Sequence, residues 1–221
     1  MGRYSHENKL KDFADGKYDI LLGTQMVAKG LDFENVTLVG VINADQQLNN
    51  DDFRSQERTF DLLTQVVGRA GRGQYKGTAV IQTCNPENDV IQIAARQDYD
   101  AFFKDELKTR KMLIYPPYCD ICLIGFIGEN EPKVRVASQK YTDRLKEKLS
   151  GEYKDLKIIA LGPMTARVSK ISNKFRYRLI LKCKNTKRFR ALMNELLKYT
   201  GTDRAYNDVS VYIDINPENI I

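Results

Sequence analysis

Short apolar runs alternate with polar, helix-forming stretches through the first half of this chain. KLKDF places Leu10 and Phe13 on one side of a short amphipathic helix, the chain turns at Gly16, and DILL predicts a strand over 19–22. VTLVGVIN, over 36–43, is a continuous apolar run of the kind buried on both faces of a parallel sheet. The polar QQLNNDDF then leads to a helix whose stripe is Phe60, Leu63 and Val67, with Asp51 or Asp52 as its cap. GTAVIQT predicts a strand over 78–83, and NPEN a turn into helices from about 89 to 110. Such alternation implies an open α/β sheet.

YPPY, at 115–118, marks the boundary, because consecutive prolines end a helix and favour extended chain. Beyond it the pattern predicts strand 119–127, helix 131–149, strands 157–161 and 177–183, helix 187–199 and strand 209–215. The order βαββαβ is ferredoxin-like, a sheet with two helices on one face. The expected organisation is an α/β domain over 1–110 and a smaller α+β domain over 111–221.

Composition changes this picture mainly through charge. The 221 residues are 42% hydrophobic and 29% charged, which excludes wholesale disorder. No apolar run approaches membrane-spanning length, and MGRYSHENKLKDF has no signal-peptide pattern, so a cytoplasmic protein with no membrane partner is expected. Residues 1–110 hold 14 Lys+Arg against 17 Asp+Glu, whereas 111–221 hold 21 against 12. The second half is therefore the better partner for a polyanion. From 156 to 194 there is no acid, and ARVSKISNKFRYRLILK interleaves Arg167, Lys170, Lys174, Arg176 and Arg178 with Phe175 and Tyr177. One reading has the cations on phosphates and an aromatic ring on an unpaired base. The other keeps Tyr177, Leu179 and Leu181 as a strand face with the cations solvated. The lack of acid favours nucleic acid.

The four cysteines include one CxxC pair, Cys119 and Cys122. A structural zinc site needs a second close pair, and only His6, Cys84 and Cys183 remain. The expectation is a strand with small packed cysteines and no metal site.

Two glycine-rich segments carry the candidate chemistry. ILLGTQMVAKGLDF sets Gly23 and Thr24 after an expected strand, where ligands of open α/β sheets usually lie. There Thr24 can donate to a phosphate, Lys29 attract one, and Asp32 hold a ribose hydroxyl or orient an arginine. QVVGRAGRG places Gln65, Arg69 and Arg72 at i, i+4 and i+7, which a continuing helix would present on one face. Its glycines suit either a helix end or the close approach of another backbone or a phosphate.

Together, the Gly-Thr…Gly-x-Asp and Gln-x-x-Gly-Arg-x-Gly-Arg segments resemble the second RecA-like lobe of superfamily 2 helicases. DFRSQERTFDLLTQVVGRAGRG, GTAVIQT, YPPY and the late LGP narrow the resemblance to the PriA family of replication-restart DNA helicases, from about residue 9 to the end. That resemblance implies ATP with Mg²⁺ bound between two lobes, and 3′-to-5′ movement on DNA. Arg69 and Arg72 would be arginine fingers and Gln65 a nucleotide or water sensor. Gly30, Asp32 and Gly68 would line the nucleotide side, with Gly23, Thr24 and Lys29 toward the DNA strand. The basic domain would help recognise forked or branched DNA and single strands. Implied partners are replication-restart proteins and single-stranded-DNA-binding protein, near a bacterial nucleoid.

This sequence departs from that pattern in lacking GxxxxGK[ST], Asp-Glu-x-His and the clustered cysteine pairs that bind zinc in the family. It reads as the C-terminal part of a larger helicase, inactive alone, with zinc expected only in the missing segment. The competing reading is a non-catalytic nucleic-acid adapter with a decayed nucleotide lobe.

Overall fold

A computed structural model describes residues 3–24, 33, 36–71 and 76–220. The chain divides into two compact units, Met1–Asn50 with Arg54–Glu106, and Asp51–Phe53 with Leu107–Ile221. Among the described residues, no helix is long and apolar enough to cross a membrane.

In the first unit the elements are α1 (Arg3–Ala14), β1 (Leu38–Val41), α2 (Asp45–Leu48), α3 (Ser55–Val67), β2 (Thr78–Ile81) and α4 (Asp89–Ala95). Helix α5 (Tyr99–Leu113) runs on from this unit into the second. Strands β1 and β2 pair in parallel, with Leu38 opposite Thr78 and Val41 opposite Ile81. Phe60 and Leu63 of α3 pack with Val90, Ile91, Ile93 and Ala94 of α4, and Phe102 stacks on Phe60 with ring centroids 4.2 Å apart. Asp45 ties the ends of the two strands together, its carboxylate accepting from Thr83 Oγ1 at 2.7 Å and the Cys84 N–H at 2.8 Å. These bonds, the Cys84 amide first, hold the Asp45 carboxyl below its ordinary range. Asn88 caps α4 by accepting from the Val90 and Ile91 amides.

Three expectations fail in this unit. Residues 19–22 form no strand, and Ile20 and Leu22 are 84% and 82% exposed. An apolar run becomes a strand only where a neighbour takes its backbone hydrogen bonds, and the described sheet has two strands. The run over 36–43 is likewise not buried on both faces: Leu38 and Ile42 are exposed. Nor is Asp51 or Asp52 the N-cap of α3, a position held by Arg54 with no side-chain capping bond. Asp52 instead accepts from the Ile220 amide at 3.2 Å.

The second unit contains β3 (Asp120–Gly128), α6 (Glu131–Ser150), β4 (Ile159–Ile171), β5 (Lys174–Cys183), α7 (Lys187–Thr200) and β6 (Val209–Ile215). Its antiparallel sheet runs β4-β5-β3-β6. Strand alternation sends Cys122, Ile124, Phe126, Leu179 and Leu181 toward Val134, Tyr141, Leu145, Phe189, Leu192 and Leu196 of the two helices. At about 25 cal/mol per Å² of apolar surface, this core is the main stabilising term of the unit. Asn130 caps α6 and Thr186 caps α7. On the opposite sheet face a smaller cluster joins Cys119, Ile121, Leu123, Ile180 and Ile220, with Phe53 and Tyr115 against it.

The hairpin of β4 and β5 is longer than expected, reaching Ser172 and Asn173, whose φ values of 48° and 64° make a turn suited to the twist of a two-residue hairpin. A register shift between Leu161 and Met164 carries the strand past the Gly162-Pro163 pair, and a second falls between Thr165 and Lys170. Cys119 and Cys122 join opposite faces of the sheet, and burial pushes the Cys122 thiol up to about 12.

Candidate functional site

The arginine segment begins on a helix and leaves it early. Helix α3 forms because Phe60 and Leu63 bury one stripe, and it ends at Val67 with Gly68 as its C-cap. From there Arg69 N–H donates to Val66 and Ala70 N–H to Val67, so the chain continues in i→i+3 turns rather than helix. The shared helical face expected of this segment is therefore not formed between Gln65 and Arg69. Gln65 is exposed on the last turn of α3, and Arg69 is half-buried beyond it.

The glycines have a backbone explanation. Gly71 has φ +78°, and its N–H donates to the Val36 carbonyl at 3.1 Å. A Cβ on Gly71 would lie 2.4 Å from the Gly77 nitrogen, and one on Gly77 would lie 2.1 Å from the Gly71 nitrogen. Two chain segments thus cross where no side chain fits. The crossing anchors the end of the arginine segment beside β2, which begins at Thr78.

Gly23 and Thr24 lie in an exposed, irregular stretch. Lys29, Gly30, Asp32 and Arg72 lie outside the described residues. Of the proposed nucleotide residues, Gln65, Gly68 and Arg69 are brought together by the end of one helix.

In the basic domain the candidates sort by strand face. Arg167, Lys170 and Lys174 are exposed on the hairpin of β4 and β5. Lys170 Nζ sits 4.6 Å from the Phe175 ring centroid. Tyr177 faces the helices, packs on the core and donates its hydroxyl to Glu131 at 3.2 Å, which fits the strand-face alternative rather than the stacking one. Arg178 also departs from expectation: its Nη1 donates to the Ile220 carbonyl, which turns the head into the chain's own tail. Arg176 beside it is half-buried.

Two other cations of the acid-free stretch have partners within the unit. Lys182 donates to the Leu113 carbonyl at 2.6 Å and stands 3.6 Å above the Tyr115 ring centroid. Burial lowers its pKa. Arg188 pairs with Asp155 at 2.8 Å. Lys157, Lys184, Lys187 and Arg190 are exposed outside the hairpin.

One residue in this region escaped sequence reasoning. Tyr212 of β6 crosses Gly125 of β3, where a Cβ would meet the ring carbons at 2.1 and 2.2 Å. The available signal was a glycine in the middle of an apolar strand, which marks close approach by another group.

Comparison with known proteins supplies the family. The family model of the primosomal protein N C-terminal domain matches residues 111–218, and that of the helicase conserved C-terminal domain matches residues 1–74. The chain is 41% identical over 213 residues to the replication restart protein PriA of Bacillus subtilis (strain 168), across 96% of this chain and 26% of that protein. It belongs to the PriA family. The PriA protein of Borreliella burgdorferi is 37% identical over 97% of this chain and 31% of its own length. That of Synechocystis is 42% identical over 80% of this chain and 21% of its own. The chain thus spans less than a third of the PriA proteins it matches. It corresponds to their C-terminal portion, joining a helicase C-terminal domain to the PriA C-terminal domain.

Proposed function

We propose that this chain is the second motor lobe and C-terminal domain of an ATP-dependent DNA helicase that restarts replication at stalled or branched forks. The observation that carries the reading is 41% identity over 96% of the chain to a protein named for replication restart. In this reading residues 1–110 belong to a RecA-like lobe. Residues 111–221 form a ferredoxin-like domain, which the strand order β4-β5-β3-β6 supports.

The donors at the end of α3 fit the nucleotide that this family reading implies. Gln65 and Arg69 bring an amide and a guanidinium there, and Gly68 and Gly71 bring no side chain between them. Such donors suit phosphate oxygens. Mg²⁺ is assigned, as the resemblance implies, to ligands on the first lobe. ATP, when bound, supplies the free energy for movement on DNA. Arg69 and Arg72 act as positive charges for the terminal phosphate, and Gln65 as the amide that senses it. Gly30 and Asp32 support that side, while Gly23, Thr24 and Lys29 link it to the DNA strand. Movement is 3′ to 5′. The partners are forked or single-stranded DNA, replication-restart proteins and single-stranded-DNA-binding protein, in the cytoplasm at the nucleoid.

The test uses the full-length protein. Arg69→Ala and Arg72→Ala are each expected to lower DNA-stimulated ATP hydrolysis by about a thousandfold while fork binding is kept. Normal turnover in both variants would remove the arginine-finger assignment. For the basic domain, forked DNA is expected to bind more tightly than blunt duplex and with strong salt dependence. Equal affinities would remove fork recognition from this domain.

A further inference from the structure

On the helix-free face of the C-terminal sheet, Tyr212 lies across a backbone that has been cleared for it. Gly125 stands opposite Tyr212 on one side and Arg178 on the other. A Cβ at 125 would fall 2.1 Å from Tyr212 Cε1, so a side chain there would lift the ring off the strand. With one side against β3, the ring still leaves Tyr212 39% exposed. Tyr212, Arg176, Arg178 and Ile127 line one shallow hollow.

The charge around that hollow has a direction. Arg176 lies opposite Ile127, one step toward the hairpin, and beyond it stand the exposed Arg167, Lys170 and Lys174. Arg178 Nη1 is held by the Ile220 carbonyl, and its Nε has no hydrogen-bond acceptor. The acid of β6 on this face, Asp214, lies opposite Leu123, on the side away from the hairpin. A flat aromatic surface therefore sits at the inner end of a cationic arm.

We propose that Tyr212 is a stacking platform for an unpaired base of single-stranded DNA, with Arg176 and the hairpin cations following the phosphates. Every base has a π-face, so stacking on a fixed ring accepts any sequence, whereas paired bases in a duplex already stack on one another. The positive surroundings select a polyanion, and the ring selects one whose bases are bare. This inference rests on the reading of the basic domain as DNA-binding and names the form of DNA that one part of it takes.

The test measures binding of the 221-residue chain to a fluorescently labelled oligothymidylate and to a labelled blunt duplex. Tyr212→Ala is expected to weaken oligothymidylate binding about tenfold and to leave duplex binding within about twofold. Tyr212→Phe keeps the native affinity, while Tyr212→Leu, apolar but without a π-face, behaves as Tyr212→Ala. Native oligothymidylate affinity in Tyr212→Ala, equal loss on both probes, or native behaviour in Tyr212→Leu overturns the stacking role alone. If the native chain binds neither probe, the DNA-binding reading of the domain falls and the platform with it. A second measurement uses no variant: an oligomer carrying 5-iododeoxyuridine is photo-crosslinked to the native chain. Crosslinking at Tyr212 is expected, and crosslinks confined to other residues overturn the proposal.

Discussion

Gly16 and Gly71 have nearly the same backbone conformation, φ +75° and +78°, yet they answer to different constraints. Around Gly16 a Cβ would meet nothing within 4 Å, whereas at Gly71 it would strike the Gly77 backbone at 2.4 Å. Gly16→Ala should therefore cost only the left-handed penalty, about 1–2 kcal/mol. Gly71→Ala should cost that penalty plus displacement of a chain segment, about 3 kcal/mol or more in total. Urea unfolding of both variants, followed by a probe in the first unit, checks the difference. Equal losses would mean that the crossing of Gly71 and Gly77 yields at little cost. Asp203 offers a prediction in pH. Lys140 Nζ pairs with its carboxylate at 2.6 Å, and the Tyr199 hydroxyl and Ala205 N–H also donate to it. These partners, Lys140 first, hold its carboxyl well below the ordinary 3.8. A depressed folded pKa means that the unfolded chain binds the proton first, so the stability is present above the ordinary value and is lost as pH falls below it. Asp203→Asn should lower the urea midpoint of the second unit at neutral pH and converge with the native chain in strong acid. A constant difference across that range would contradict the linkage.

At the scale of elements, the hairpin of β4 and β5 carries three exposed cations, Arg167, Lys170 and Lys174, so removing them should change salt dependence more than fold. Replacing Arg167, Lys170 and Lys174 together by alanine is expected to reduce the slope of log affinity for duplex against log salt by about 3, if each touches one phosphate. An unchanged slope would move the phosphate contacts elsewhere. The composition of this arm was legible in the sequence, because an acid-free stretch of 39 residues from 156 to 194 is visible without coordinates. Its length was not, because Gly162 and Pro163 read as the end of a strand, while the structure absorbs them in a register shift. The sides of β5 were legible only as alternatives. Core packing decides between them, placing Tyr177 among the helices and Arg178 on the other face. In the first unit the same kind of apolar pattern misleads at residues 19–22. Hydrophobicity marks a segment able to pair, but pairing depends on a neighbour that local sequence does not contain.

For the molecule as a whole, the family that QVVGRAGRG helps to mark was legible from motif spacing, whereas the limits of the second unit were not. YPPY suggests a clean division, but Asp51–Phe53 counts with Leu107–Ile221 although more than fifty residues separate them in sequence. The physical basis is a ladder of side chains. Arg110 lies 5.2 Å from the Phe53 ring centroid, Phe53 stacks on Tyr115 with centroids 5.0 Å apart and planes 7° apart, and Lys182 caps the far side of Tyr115. Asp52 adds the bond to the Ile220 amide. Cation–π and aromatic stacking contribute about 1 kcal/mol per contact, and the half-buried ring adds its own burial. Phe53→Ala in the full 221-residue chain should therefore destabilise the second unit by about 2–3 kcal/mol. Hydrogen exchange of amides in β3 and β5, resolved by peptide, measures this directly. If protection falls only in peptides flanking residue 53, Phe53 is a surface contact and the unit begins after it. If it falls through β3 and β5, three residues from the first half of the chain are part of the C-terminal fold, and a chain that begins after residue 110 lacks a piece of its own core.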